Sequence, residues 1–441
     1  MKARPILFLI VTVSSLLTGL WLRTQLRPKP LADIVLSQDG AEIPMEVYGG
    51  HLFVQATVNG KTGQFLLDSG AADMFISEAK ALSLGLVHPS QISPPGSASE
   101  NASENALENK LQGTRTQATR TQTTRIQDKP TIYVPNVSFQ IGTLTLTDHR
   151  SVVMSKAEVT GLSQYFGRTL DGILGHEFFQ QLVVEMDYAQ GRLRLHHPKT
   201  YRYQGSGQPM LLQVNDRRAY LKAEIAPYGH QPLPATLLLD SGSNGALSIK
   251  AGCGVDRQLI AAAPQILQRQ LTTFYGIQPI QMGRVQSLTL GTTQLKTPLT
   301  TFESDPRGAC DRLTGKIGAQ ILQQFRVIVN YPQQQLILEP LPAPLSRPSD
   351  DYSYDLSGLW LQAEGAAFQT YRVANVFPQT PAAKVGLKKG DILRQINGQS
   401  TRQMPLSQIR QLLSQPNPNL QLQIQRSSNV MEFRLRLAPL I

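Results

Sequence analysis

Two aspartates of this 441-residue chain sit in surroundings that repeat. Asp68 lies in Phe-Leu-Leu-Asp-Ser-Gly-Ala at 65–71, and Asp240 lies in Leu-Leu-Leu-Asp-Ser-Gly-Ser at 237–243. Two carboxylates held about 3 Å apart cannot both ionise, so they share one proton and their pKa values separate. Such a pair can hydrolyse a peptide bond with no metal and no covalent nucleophile. The ionised member takes a proton from a trapped water while the protonated member hydrogen-bonds the scissile carbonyl, and the roles then reverse to protonate the leaving amine. The pair titrates as a unit, so the sequence assigns neither aspartate alone to acid or base. The neighbouring residues suit the same chemistry. Gly70 and Gly242 allow a tight turn and close approach of two loops. The hydroxyl of Ser69 or Ser241 can lock its loop to the opposite one, and the apolar run before each Asp supplies rigid burial that places the carboxylate.

The elements that must position this pair are duplicated. The first copy starts with His-Leu-Phe-Val-Gln-Ala-Thr-Val from His51, alternating apolar and polar, then a turn at Asn59-Gly60 and the apolar run into Asp68. This pattern predicts a β-hairpin. The second copy answers with Ala-Tyr-Leu-Lys-Ala-Glu-Ile-Ala from Ala219, a Pro/Gly turn at 227–232 and the run into Asp240. Further on, Asp171-Gly-Ile-Leu-Gly, Leu182-Val-Val-Glu-Met-Asp-Tyr and Arg192-Leu-Arg-Leu are matched by Gly315-Lys-Ile-Gly, Phe325-Arg-Val-Ile-Val-Asn-Tyr and Gln335-Leu-Ile-Leu. Each copy reads as strand ending in Gly, short helix, strand, turn, strand. The first copy is longer by about thirty residues, a polar stretch at 93–130 too poor in apolar residues to fold alone, and it reads as a disordered insert. Residues 199–217 connect the halves.

Residues 48–340 resemble the retropepsin/pepsin-like aspartic proteases in their single-chain, two-repeat bacterial form. The resemblance rests on Asp68-Ser69-Gly70 and Asp240-Ser241-Gly242, and on the supporting apolar-apolar-Gly segments Ile173-Leu174-Gly175 and Lys316-Ile317-Gly318. Lys316 stands where that pattern has an apolar residue, and Ser replaces the commoner Thr in both loops. The resemblance implies a mainly β, two-lobed acid protease fold with Asp68 and Asp240 as catalytic residues. It makes Ser69, Gly70, Ser241, Gly242, Gly175 and Gly318 the support of the active-site loops. It also implies a covering hairpin near 117–134 and a second near 272–282, with Tyr275 as a flap aromatic or an ordinary strand residue. Residues 356–441 resemble a PDZ domain, a small α+β barrel. The most specific part is Pro381-Ala-Ala-Lys-Val-Gly-Leu-Lys-Lys-Gly-Asp-Ile-Leu, followed by Ile396-Asn-Gly. By that resemblance Gly358, Leu359, Trp360 and Leu361 form a carboxylate-binding loop that holds a peptide C-terminus, and the helix from Leu406 is the other groove wall.

The remaining expectations follow from composition and the chain ends. Lys2 and Arg4 precede an apolar run at 5–22 followed by Arg23, Arg27 and Lys29, which reads as an uncleaved signal anchor or transmembrane helix, with a cleaved signal peptide as the alternative; basic residues flank both ends, so charge does not set the orientation. The domain plan is therefore an anchor at 1–29, a first lobe at 30–199 containing the insert 93–130, and a second lobe at 200–345. A Pro-rich linker at 346–355 and the PDZ domain at 356–441 complete it. The net charge of +11 comes without a long Lys/Arg run. The arginines between 115 and 125 have no interleaved aromatics, which argues against a nucleic-acid partner. Cys253 and Cys310 are too few for a cysteine metal site, and a disulfide or two buried thiols both fit them. No metal and no cofactor are expected. The expected function is a membrane-anchored, extracytoplasmic aspartic endopeptidase, periplasmic or on the cell-surface side in a bacterium. It would act on protein or peptide substrates, with a peptide ligand for the PDZ domain. The alternative is a catalytically silent scaffold acting as a PDZ adaptor.

Overall fold

The computed structural model describes residues 34–36, 40–92, 122–126, 129–252, 254–273, 276–304, 313–341 and 352–441. In the first half, His51–Val58 and Lys61–Leu67 pair antiparallel through Asn59 and Gly60. Both turn residues have positive φ, 42° and 85°, as a two-residue hairpin turn with the twist of its strands requires. Lys61–Leu67 then lies parallel to Gly172–Leu174, which pairs antiparallel with Met74–Ser77. The second half repeats this arrangement. Arg218–Ala226 pairs with Leu233–Leu239, which runs parallel to Gly315–Ile317, which is antiparallel to Leu247–Ala251. The short parallel strand therefore holds the end of the strand that leads into each aspartate. Its residues and those of the aspartate strands are largely buried, among them Leu67, Leu174, Leu239 and Ile317 at 0% exposure.

The halves are joined through a shared sheet. Val183–Asp187 pairs antiparallel with Phe325–Asn330, with Glu185 opposite Ile328. Outside the first strand lie Arg192–His196 and Ala41–Pro44; outside the second lie Gln335–Pro340 and Pro209–Asn215. Each copy thus adds its strand pair to one side, and the connecting stretch expected at 199–217 contributes a strand of its own. One apolar core runs from Ile43 through both halves to Tyr352.

Part of the expected insert is structured. Gln122–Ile126 pairs with Lys129–Ile141 as a hairpin, because Thr-Thr-Arg-Ile and Thr-Ile-Tyr-Val carry β-forming residues that the polar average of the stretch conceals. Residues 93–121 lie outside the described residues. So do the anchor segment 1–29, Cys253, Cys310, Tyr275 and residues 342–351 of the linker. Among the described residues no helix is long and apolar enough to cross a membrane. A second hairpin, Leu267–Thr273 with Gly276–Arg284, stands at the corresponding place in the second half.

The C-terminal sheet runs in the order Leu359–Glu364, Thr370–Val376, Ile392–Ile396, Asn417–Arg426, Asn429–Leu437. The helix Leu406–Leu413 buries Leu406, Ile409 and Leu413 against it, the i, i+3, i+7 stripe of an amphipathic helix. This core is a separate apolar cluster from that of the two halves.

Candidate active site

The two Asp-Ser-Gly loops meet and lock each other. Ser69 Oγ donates to the Leu239 carbonyl at 2.8 Å and accepts from the Ser241 N–H at 3.0 Å. Ser241 Oγ donates to the Leu67 carbonyl at 3.0 Å and accepts from the Ser69 N–H at 2.9 Å. Both serines are fully buried, so four backbone groups of the turns are satisfied by two hydroxyls. Each aspartate is tied to the short parallel strand behind it, Asp68 N–H to the Leu174 carbonyl and Asp240 N–H to the Ile317 carbonyl, both at 3.0 Å. A Cβ on Gly70 would lie 2.8 Å from Asp240 Oδ1, and one on Gly242 would lie 2.3 Å from Asp68 Cγ. Only glycine lets each loop lie against the opposite carboxylate. Gly175 and Gly318 are needed for the same reason one layer back, where a Cβ would meet the Asp73 and Gly245 carbonyls at 2.1 and 2.6 Å. Every loop residue expected from the sequence is brought together here.

The carboxyls of Asp68 and Asp240 lie within hydrogen-bonding reach of each other. Burial first, and the neighbouring Asp240 second, push the Asp68 carboxyl well above the usual carboxylate range; the Gly70 N–H and Lys316 oppose the shift. Gly70 N–H donates to Asp68 Oδ1 at 2.8 Å. Two tyrosines at equivalent positions of the repeats, Tyr188 and Tyr331, lie behind the loops, and Tyr331 Oη reaches the Ser69 carbonyl at 3.4 Å. Burial, then Asp240 for the first and Asp68 for the second, raises both phenols above their ordinary value, so they remain neutral. Lys316 also belongs to the site. Its Nζ lies 3.4 Å from Asp240 Oδ2 and 3.7 Å from Glu303 Oε1. Burial opposes its charge, and the attraction of Asp240 and Glu303 outweighs that, holding its pKa above the ordinary lysine value.

The second half also grips the first loop from outside. Arg218 Nε donates to the Gly70 carbonyl at 3.0 Å, and Arg217 Nε donates to the Ala72 carbonyl at 2.6 Å. Arg217 also pairs with Glu177 and, at 3.3 Å, with Asp73. Asp216 and Arg217 have φ of 47° and 61°, and this tight turn aims the arginines at the loop. No sequence signal pointed to them, since the bonds span about 145 residues.

The aspartyl protease family model matches residues 54–107, which include the first loop and Asp68, and the PDZ domain family model matches residues 372–426. The chain carries an aspartyl protease domain and a C-terminal PDZ domain. No curated protein matches it. The match to the protease family stops before the second Asp-Ser-Gly loop, so it is the repeated strand register that relates Asp240 to Asp68.

The PDZ loop differs from expectation. Leu359, Trp360 and Leu361 open the strand Leu359–Glu364, all three buried and paired with Val376, Asn375 and Val373; only Ser357 and Gly358 form the loop. Their donors are occupied from within the chain. The carboxylate of Asp355 accepts from Gly358 N–H at 2.6 Å and from Ser357 Oγ at 3.0 Å. Burial raises the Asp355 carboxyl to about 6, against the pull of these donors and of Arg269 from the second half's hairpin. The end of the expected linker is thus a packed part of the PDZ loop, with Tyr352 buried and Tyr354 Oη accepting from the N–H groups of Leu440 and Ile441.

The edge strand of the PDZ sheet is covered as well. The protease-domain helix Lys156–Phe166 packs against Leu359–Glu364. It is set by a Ser155/Glu158 capping box and ends at Gly167, φ 73°. Arg410 of the PDZ helix lies over the Tyr165 ring at 4.5 Å and donates to the Leu361 carbonyl at 3.3 Å. The Tyr165 and Phe166 rings in turn pack on buried His51, at 6.0 and 4.8 Å. Burial first, then Arg410, pushes the His51 imidazole down to about 3, so it is neutral.

Proposed function

We propose that the protein is an aspartic endopeptidase in which Asp68 and Asp240 form one two-carboxylate site across a two-lobed, pepsin-like pair of repeats. The observation that carries this reading is the reciprocal serine lock, which places both carboxyls together on glycine loops that admit no larger residue. The raised Asp68 carboxyl supports it, because a site that hydrolyses by shared-proton chemistry needs one neutral and one ionised member. The hairpins Gln122–Ile126 with Lys129–Ile141, and Leu267–Thr273 with Gly276–Arg284, stand where a substrate-covering flap is expected in each half. Substrates are then protein or peptide chains, and the PDZ domain is the module that recognises a peptide C-terminus. The apolar run at 5–22 fits an N-terminal signal anchor, and a segment of that kind would put the catalytic domain outside the cytoplasm, although the basic residues at both of its ends do not themselves set the orientation.

Cleavage of a diverse peptide library by the chain from residue 30 onward tests the reading. Asp68→Asn and Asp240→Asn should each lower kcat by about 100-fold or more, the scale of general acid–base catalysis, with the fold intact. Turnover that survives either change excludes the dyad.

A further inference from the structure

The two halves place different residues beside their aspartates. Leu66 pairs with Ile173 in the first half, and Leu238 pairs with Lys316 in the second. Ile173 is buried with Phe53, Leu66 and Phe166, so one side of the pair is apolar. Lys316 instead lies between Asp240 and Glu303. Its strand neighbour Ile317 is buried in the core, and strand alternation turns Lys316 to the opposite face, toward the carboxylates. The other groups at the pair are neutral or act on backbone: the Tyr188 and Tyr331 phenols, neutral His51, and Arg218 on the Gly70 carbonyl. Among the described residues Lys316 is therefore the cation at the carboxylates, and its Nζ contacts Asp240.

We propose that Lys316 breaks the equivalence of the two carboxyls: it holds Asp240 as the anion and leaves the shared proton on Asp68. This rests on the protease reading for its mechanistic consequence. Asp240 takes a proton from the attacking water as the new C–O bond forms, and Asp68 gives its proton to the carbonyl oxygen, leaving a neutral gem-diol. Asp240 then passes its proton to the amide nitrogen as the C–N bond breaks, and Asp68 recovers a proton from a gem-diol hydroxyl. Both carboxyls end as they began, with acid and amine as products. Lys316 is a positioning residue: it touches Asp240, not the substrate. A cation here favours both anionic forms, so it moves the working range of the site toward acid. Glu303 draws part of that charge away.

The test is the pH dependence of kcat/KM for wild type, Lys316→Met and Glu303→Gln. Removing the lysine should move the acid limb to higher pH by one unit or more and the alkaline limb by less. Glu303→Gln should move the profile the opposite way. Limbs that stay in place in Lys316→Met overturn the proposal, as does a rise in turnover without a shift, which would make the lysine a brake. A second readout needs no turnover. In thermal unfolding at pH 5, the non-additivity between Asp240→Asn and Lys316→Met should exceed that between Asp68→Asn and Lys316→Met, because the lysine contacts Asp240 directly. Additivity in both pairs, or a coupling to Asp68 equal to or larger than that to Asp240, overturns the charge assignment. The larger coupling to Asp240, found for a protein whose wild type cleaves nothing, supports the assignment and removes the protease reading.

Discussion

Ser69 and Ser241 carry more of the site's geometry than their size suggests. Each hydroxyl donates to one carbonyl and accepts from one N–H of the opposite turn, out of reach of water. Ser69→Ala leaves the Ser241 N–H buried without its acceptor, which costs about 1–3 kcal/mol. Chemical denaturation should show that loss, with a kcat loss alongside it; an unchanged midpoint would mean that the loops are held elsewhere. Asp68 gives a pH signature of opposite sign to the usual acidic residue. Its folded pKa is raised, so the stability it contributes is complete below the unfolded value, near 4, and is lost as pH rises through the folded value. Asp68→Asn should therefore become progressively more stable relative to wild type between pH 4 and pH 7 in thermal unfolding. A constant difference across that window would place no strained proton at Asp68.

The repeated β-strand, glycine loop and short parallel strand act as one element, and the glycines are where it has no slack. Gly172 and Gly315 cross the neighbouring strand so closely that a Cβ would meet the Phe75 and Ser248 carbonyls at 2.1 and 1.9 Å. Backbone cannot yield as a flexible side chain can. Gly242→Ala should abolish turnover, because its methyl would occupy the position of the Asp68 carboxyl, whereas Gly60→Ala, with nothing near its Cβ, should retain the site and pay only for its positive φ. Steady-state kinetics beside circular dichroism would separate the two; an active Gly242→Ala would show that the loops are wider apart. At this scale the sequence was most legible. Alternation, Asn59-Gly60 and the apolar runs announce hairpins from local chemistry alone, and the same order twice announces duplication. The strand at Gln122–Ile126 was legible only through the resemblance that implies a covering hairpin near 117–134, because the polar average of the stretch conceals its β-forming residues.

The whole molecule joins its two domains physically. The PDZ groove faces the helix Lys156–Phe166, Arg410 bridges the groove wall to the edge strand, and Asp355 sits on the loop donors that a peptide carboxylate would use. A peptide that enters must displace these contacts, so its apparent affinity is reduced by the fraction of open groove. Asp355→Ala and Arg410→Ala should each tighten binding of a peptide with a free C-terminus roughly 5- to 150-fold, the range of typical coupling between sites. Isothermal titration would measure it, and equal affinity in wild type and both variants would show that the groove is already open. Tyr165 and Phe166 of the same helix also pack on His51, the first residue of the strand His51–Val58.

What the sequence determined by itself is what short segments encode: the paired Asp-Ser-Gly turns, the strands leading into them, the glycines behind them and the duplication that makes two half-sites. These follow from backbone conformation and side-chain alternation, which act over a few residues. Lys316 was visible only as a residue out of pattern, and Asp355 only as the end of a linker. Their roles depend on what lies across the fold: Asp240 and Glu303 around the lysine, and Gly358 and Arg269 around the aspartate. Arg217, Arg218 and Arg410 act likewise on backbone carbonyls far away in the chain or across a domain boundary. Charge and hydrogen bonding are set by distance in space, and the tertiary structure alone decides that distance.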